Sequence, residues 1–281
     1  MLLHSALSAG TYLAAKRALG ELSPFEVALA RFTLAGLIYA VLLARRRSRV
    51  SRRDLLGLAG LGFIAIPFNQ GFFLAGLSMT TPGHAALLYA MTPVFVFLLA
   101  LARREERASA LKVAGIATAF VGAAVVLFSR GLLGGGGGLR GLAGDVLVLM
   151  GVVAWAVYVV WGKPYAERHG VITTTGLSIV MGSLLYLPVG LAFSRLDSFR
   201  ALSAAGWGSL AYLVVLTSVV SYLIYYWALA RADASRVAIW SNTQPVLTAL
   251  LAWALHGDPL SPSFAVGTVL VVAGVVMTER G

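Results

Sequence analysis

Apolar residues run along this chain in blocks of about twenty, and the interruptions between blocks are short and carry turn or charge signals. The blocks fall at 1–19, 24–44, 55–77, 82–102, 110–129, 142–163, 172–193, 205–230, 234–255 and 263–279. A helix that crosses a bilayer takes roughly 20 residues, so each block predicts one span. The breaks are Ser23-Pro24, Arg45-Arg46-Arg47, Thr81-Pro82, Arg103 to Glu106, Gly134 to Gly138 and Asp258-Pro259, all of them poor helix interiors.

The glycine run divides the pattern. Each glycine costs about 1 kcal/mol in a helix relative to alanine, so Gly134 to Gly138 reads as a flexible linker. It separates five blocks from five. Sliding one half over the other by a constant 152 residues places Pro93 on Pro245, Gly115 on Gly267 and Gly122 on Gly274. Ser109 then meets Ser261, and Glu106 meets Asp258. A constant offset without gaps indicates an internal repeat. Because each unit has an odd number of spans, the second enters the membrane inverted, an arrangement that places a substrate path between the units near mid-membrane. The expected fold is therefore an all-α membrane protein of ten transmembrane helices in two inverted five-helix repeats, 1–130 and 142–281, joined by a Gly-rich periplasmic linker at 131–141.

Charge sets the orientation, since Lys and Arg are retained on the cytoplasmic side. With the N-terminus inside, 15 of the 22 Lys and Arg lie on the inner side and 6 on the outer, while Arg31 lies within a span. Both termini are expected in the cytoplasm of a bacterial-type inner membrane. The net charge of +11 is thus a topology signal, and nucleic acid is not expected as a partner. Composition agrees with the pattern: 59% of residues are hydrophobic and 12% charged, too few charges to cover a soluble fold of 281 residues. Cysteine is absent, which removes disulfides and thiolate chemistry.

Polar side chains at membrane depth are expensive unless they face protein or a wet cavity, which makes them site candidates or interhelical hydrogen bonds. Asn69, Gln70, Ser221, Tyr222 and Asn242 meet that description, with Tyr89 and Thr92 before Pro93. Pro93 and Pro245 lie within spans, as hinges or as static kinks. Tyr12, Trp155 and Tyr158 add aromatic walls suited to an organic molecule. His84 opens a span as a gate or an interfacial residue. Arg31 is expected to snorkel or to pair with Glu26. Gly115 and Gly122, like Gly267 and Gly274, line one helix face and allow close helix packing. No Asp or Glu lies in the middle of a span, which argues against proton-coupled export of cationic drugs. Nor does any metal cluster, nucleophile elbow or nucleotide loop occur, so no enzyme activity, cofactor or metal is expected.

Arg31-Phe32 followed by Ala35, the stretch Ala75 to Pro93 and Gly257-Asp258 resemble the drug/metabolite transporter superfamily, in its ten-helix form with two EamA domains. Ala9-Gly10 departs from the Trp-Gly that many members carry. Trp155-Ala156-x-Tyr158 with Lys163 and Tyr165-Ala166 is similar to the YddG-type amino-acid exporters. The resemblance implies an alternating-access carrier and, at that finer level, export of aromatic or other neutral amino acids or similar zwitterions. Export of other apolar or drug-like metabolites is the alternative, and a non-transporting membrane enzyme or assembly partner the reading from another class. A small-molecule substrate and the lipid bilayer are the expected partners; monomer or oligomer is left open.

Overall fold

The structure, a computed structural model, describes residues 1–46, 50–129, 138–247, 250–251 and 262–281, without the side chains of 82–84 and 126–129. Most of the glycine run, the side chain of His84, Gly257-Asp258 and Ser261 lie outside the described residues. Those described form helices, and no strand occurs among them. In chain order these are α1 (Leu2–Leu19), α2 (Pro24–Ala44), α3 (Arg52–Met79), α4 (Pro82–Tyr89), α5 (Thr92–Ala102), α6 (Ala110–Ser129), α7 (Gly138–His169), α8 (Val171–Phe193), α9 (Ala204–Leu229), α10 (Ala234–Ala238) and α11 (Pro262–Arg280).

Local sequence explains the starts. Ser23 accepts from the Glu26 backbone N–H (3.3 Å) while Glu26 Oε2 accepts from the Ser23 N–H (2.7 Å), with Pro24 as the first helical residue of α2. Ser51 and Ser203 cap α3 and α9 through the N–H groups of Asp54 and Gly206. The carboxylate of Glu26 also reaches the Arg195 N–H (2.9 Å) and the Ser198 hydroxyl (3.0 Å), tying α2 to the segment after α8. Arg31 therefore does not pair with Glu26, whose oxygens are already taken at the helix end.

Seven helical stretches among the described residues are long and apolar enough to cross a bilayer, namely α2, α3, the stretch Ala85–Ala102 across α4 and α5, α7, α8, α9 and α11. Leu37, Val41, Leu184, Val266 and Val269 stand exposed along them. Water would not tolerate so many outward apolar side chains, whereas lipid tails accept them.

The helices are not uniform. In α3 the turns over Ile64–Gln70 widen to π geometry around Pro67, and α9 does the same over Tyr212–Ser221. The chain breaks between α4 and α5, and after α10 it tightens to 3₁₀ geometry over Ile239–Thr243 before resuming as helix at 244–247. Pro93 consequently sits in the first turn of α5, where its missing N–H leaves no gap. The helix α7 starts at Gly138, so residues 138–141 are helical where the linker was expected.

Packing follows the small residues. An added Cβ at Gly115 would meet the Gly274 carbonyl at 2.8 Å, and one at Gly122 the Gly267 carbonyl at 2.7 Å, so α6 and α11 touch backbone to backbone. Only glycine permits that approach.

Candidate functional site

Four polar side chains of α1, His4, Ser8, Thr11 and Tyr12, recur at steps of three or four that put them on one helix face. That face meets α9 and the segment after α10. His4 Nδ1 lies 2.7 Å from Ser221 Oγ and 3.1 Å from the Ser221 carbonyl, Ser8 Oγ lies 3.0 Å from Ser221 Oγ, and Thr11 pairs with Thr217 at 3.0 Å. The Tyr12 hydroxyl donates to Gln244 Oε1 (3.0 Å). In the wide turns of α9 the Tyr39 hydroxyl reaches the carbonyls of Ser218 and Val219, both at 3.2 Å.

These contacts form one wall of a small cavity of about 70 Å³. Its lining comes from α1 (His4, Ser8, Thr11, Tyr12), α2 (Arg31), α3 (Gln70, Phe73), α4 (Tyr89), α7 (Trp155), α9 (Thr217, Tyr222) and the segment after α10 (Ser241, Gln244).

A second part of the lining belongs to a hydrogen-bonded chain. Arg31, 1% exposed, donates from Nε to Ser218 Oγ and from Nη1 to Gln70 Oε1, both at 2.8 Å. Gln70 Nε2 in turn donates to Asn69 Oδ1, and Asn69 Nδ2 donates to the Tyr89 hydroxyl (3.0 Å) and the Gly151 carbonyl (2.7 Å). Arg31 thus points into the protein and does not snorkel, because Gln70 from α3 and Ser218 from α9 meet it there. Aromatic rings complete the lining. Trp155 and Tyr222 lie 5.2 Å apart between centroids, and Tyr12, Phe73 and Tyr89 form an edge-to-face triangle of 5.4 to 6.1 Å.

Of the residues singled out from sequence, Tyr12, Gln70, Tyr89, Trp155 and Tyr222 line this cavity. Asn69 and Ser221 stand behind it, orienting Gln70 and His4. Tyr158 is fully buried, with its hydroxyl directed to Ser178 at 3.4 Å. Thr92 is fully buried with an unpartnered hydroxyl, and Asn242 binds backbone away from the lining. His4, Ser8, Thr11, Phe73 and Thr217 were not anticipated. The spacing of polar residues along α1 was the available signal.

Comparison with known proteins covers nearly the whole chain. The model of the EamA-like transporter family matches residues 1–128 and 142–280. A transporter of Archaeoglobus fulgidus is 31% identical over 96% of this chain and 92% of its own. The transporter YyaM of Bacillus subtilis is 28% identical over 97% and 90% respectively. A protein of Streptantibioticus cattleyicolor named as a probable terminal-alkyne amino-acid exporter is 28% identical over 90% of this chain and 83% of its own. One solved crystal structure superposes with a TM-score of 0.79 at 21% identity, covering 99% of this chain and 96% of the other, and so shares the fold. The apolar helices, the lipid-facing side chains and these matches agree: this multi-pass membrane protein belongs to the EamA-like transporter family.

Proposed function

We propose that the chain is an alternating-access exporter of amino acids, aromatic or other neutral, or of similar small zwitterions, in an inner membrane with both termini cytoplasmic. The observation that carries this reading is the cavity, which takes its walls from both halves of the chain and combines aromatic faces with fixed polar groups. A scaffold has no use for such a chamber, and among the described residues no cluster of His, Cys, Asp or Glu could hold a metal for catalysis.

The architecture in this proposal is ten spans in two inverted units, 1–130 and 142–281. Three regularities support it. The π turns of α3, moved by the 152-residue offset, fall on 216–222 and so overlap those of α9. The break at Ala90-Met91 falls on 242–243, within the 3₁₀ segment. The contact of Gly115 with Gly274 maps by the same offset onto the contact of Gly267 with Gly122, and both occur. Reciprocal contacts of this kind are what a two-fold relation produces. Broken helices near an inter-repeat cavity are the parts that rocking carriers move.

The name of the Streptantibioticus relative supports an amino-acid cargo. Counterflow of labelled amino acids in proteoliposomes tests the reading. Exchange of one or more neutral amino acids is the expected result, and no exchange across the panel by folded protein would sink it.

A further inference from the structure

We propose that Arg31 is the anion-binding residue of the cavity, so that the cargo must carry a carboxylate. This rests on the reading of the cavity as the substrate site, and it goes further by assigning the group that is recognised and the residue that recognises it.

Arg31 is 1% exposed and lines the cavity, yet both of its hydrogen-bond partners are neutral, the Ser218 hydroxyl and the Gln70 amide oxygen. Its guanidinium also lies 4.9 Å from the Phe32 ring. Among the described residues, acids that could have neutralised it are engaged elsewhere. Glu26 caps α2, Asp54 pairs with Arg168 and His169, Glu106 and Asp233 pair with Lys112, Glu21 holds Ser203, and Glu279 accepts from Trp240. No Asp or Glu is among the lining residues. A buried cation without a counter-charge is costly to maintain, and a purely structural arginine would be expected to end on carboxylates or backbone carbonyls.

The geometry suits an incoming anion. A guanidinium carries five N–H donors in a rigid plane, and the two described bonds use one on Nε and one on Nη1. They also fix the plane, and Gln70 is itself held by Asn69, which is held by Tyr89 and the Gly151 carbonyl. A planar donor fork held from behind is what a carboxylate binds best. Trp155 and Tyr222 offer ring faces to the rest of the molecule, including an ammonium group, which needs no acid if it meets aromatic faces. A cargo that is only cationic would instead bring a second positive charge into a chamber already holding Arg31.

Binding to purified, full-length protein in detergent, followed by calorimetry, tests the assignment with four probes that share one ring: phenylalanine, 3-phenylpropionate, phenylalaninamide and phenethylamine. The two carboxylates are expected to bind, and the amide and the amine to bind about ten- to hundredfold more weakly, the loss typical of a charged hydrogen bond. Arg31→Gln should bring the carboxylates down to the level of the amide, and Arg31→Lys should recover part of the loss. If Arg31→Gln does not fold, the wild-type comparison of acid and amide decides alone. Equal binding of acid and amide, no binding of either carboxylate, or undiminished binding by folded Arg31→Gln would overturn the proposal. Carboxylate binding without counterflow would leave the anion site standing and remove the transport reading; counterflow of amide and acid alike would do the reverse.

Discussion

The side-chain amide of Asn242 donates to the backbone carbonyl of Ala90 at 2.7 Å and accepts from the Phe120 N–H at 3.3 Å. Asn242 and Ala90 are also the residues that the 152-residue offset superposes. The carbonyl is available because the chain breaks at that point: the Val94 N–H, which would take it in a continuous helix, turns back to Met91 at 3.0 Å. One side chain therefore joins the break between α4 and α5 to the 3₁₀ segment after α10 and rests both on α6.

Removing that amide should loosen the joint. Asn242→Ala leaves the buried Ala90 carbonyl without its partner, which costs about 1–3 kcal/mol. A lower unfolding temperature in detergent is expected, together with a change in counterflow rate larger than that of a surface variant such as Arg200→Ala. An unaltered melting temperature would show that the bond contributes nothing.

Backbone contact between α6 and α11 leads to a second expectation. A Cβ at Gly274 would sit 2.4 Å from the Ala119 nitrogen and 2.6 Å from the Gly115 carbonyl, atoms that cannot rotate aside. Gly274→Leu should abolish folded protein, judged by size-exclusion profile in detergent. Gly60 has open space around it, so Gly60→Ala should be neutral or stabilising by about 0.5–1 kcal/mol, as replacing a helical glycine usually is. Equal behaviour of the two variants would remove the packing argument.

The difference between Gly274 and Gly60 also shows what a sequence can and cannot reveal. Apolar block length predicted the helices, because bilayer thickness fixes that length from outside the protein. Small residues on one face pointed to α6 and α11 through spacing alone. The cavity was less legible. Arg31 and His4 lie near the ends of apolar runs, where a charge or an imidazole can equally face headgroups. Only the positions of Gln70, Ser218 and Ser221, contributed by other helices, turn them inward. Thr92 precedes a proline and Asn242 is polar at membrane depth, which makes each a lining candidate, yet Thr92 is fully buried and Asn242 binds backbone of Ala90 and Phe120. Which way a side chain faces was set by tertiary partners that no local pattern encodes.

Between α1 and α2, the carboxylate of Glu21 accepts from the Ser203 N–H (2.8 Å) and hydroxyl (2.7 Å), with Arg17 beside it at 3.3 Å. The Ser203 backbone N–H, then its hydroxyl, and then the charge of Arg17 hold the Glu21 carboxyl below the usual carboxylate value. A depressed folded-state pKa contributes stability that is present above the ordinary carboxylate value and is lost as pH falls through the folded one. Melting temperature should therefore fall on acidification, and Glu21→Gln should make that decline shallower. Parallel acid limbs for the two proteins would show that Ser203 does not need the charge.

Lys112, at the start of α6, is 3% exposed and pairs with Glu106 Oε2 at 3.1 Å and with Asp233 Oδ2 at 3.4 Å. Glu106 in turn accepts the Ser235 N–H at 3.0 Å together with the Ser235 hydroxyl, so it caps the first turn of α10 from the other half of the chain. Removing one member of a buried pair strands the other charge, at a cost of about 3–5 kcal/mol. Lys112→Met should therefore be among the most destabilising single changes in the protein. Adding Glu106→Gln removes the stranded charge while keeping an acceptor for Ser235, and should restore part of the loss. A double-mutant cycle on melting temperature measures the coupling. If the double variant is as unstable as the sum of the singles, the pair is not coupled, and the link between α6 and α10 must be carried by the apolar contacts around it.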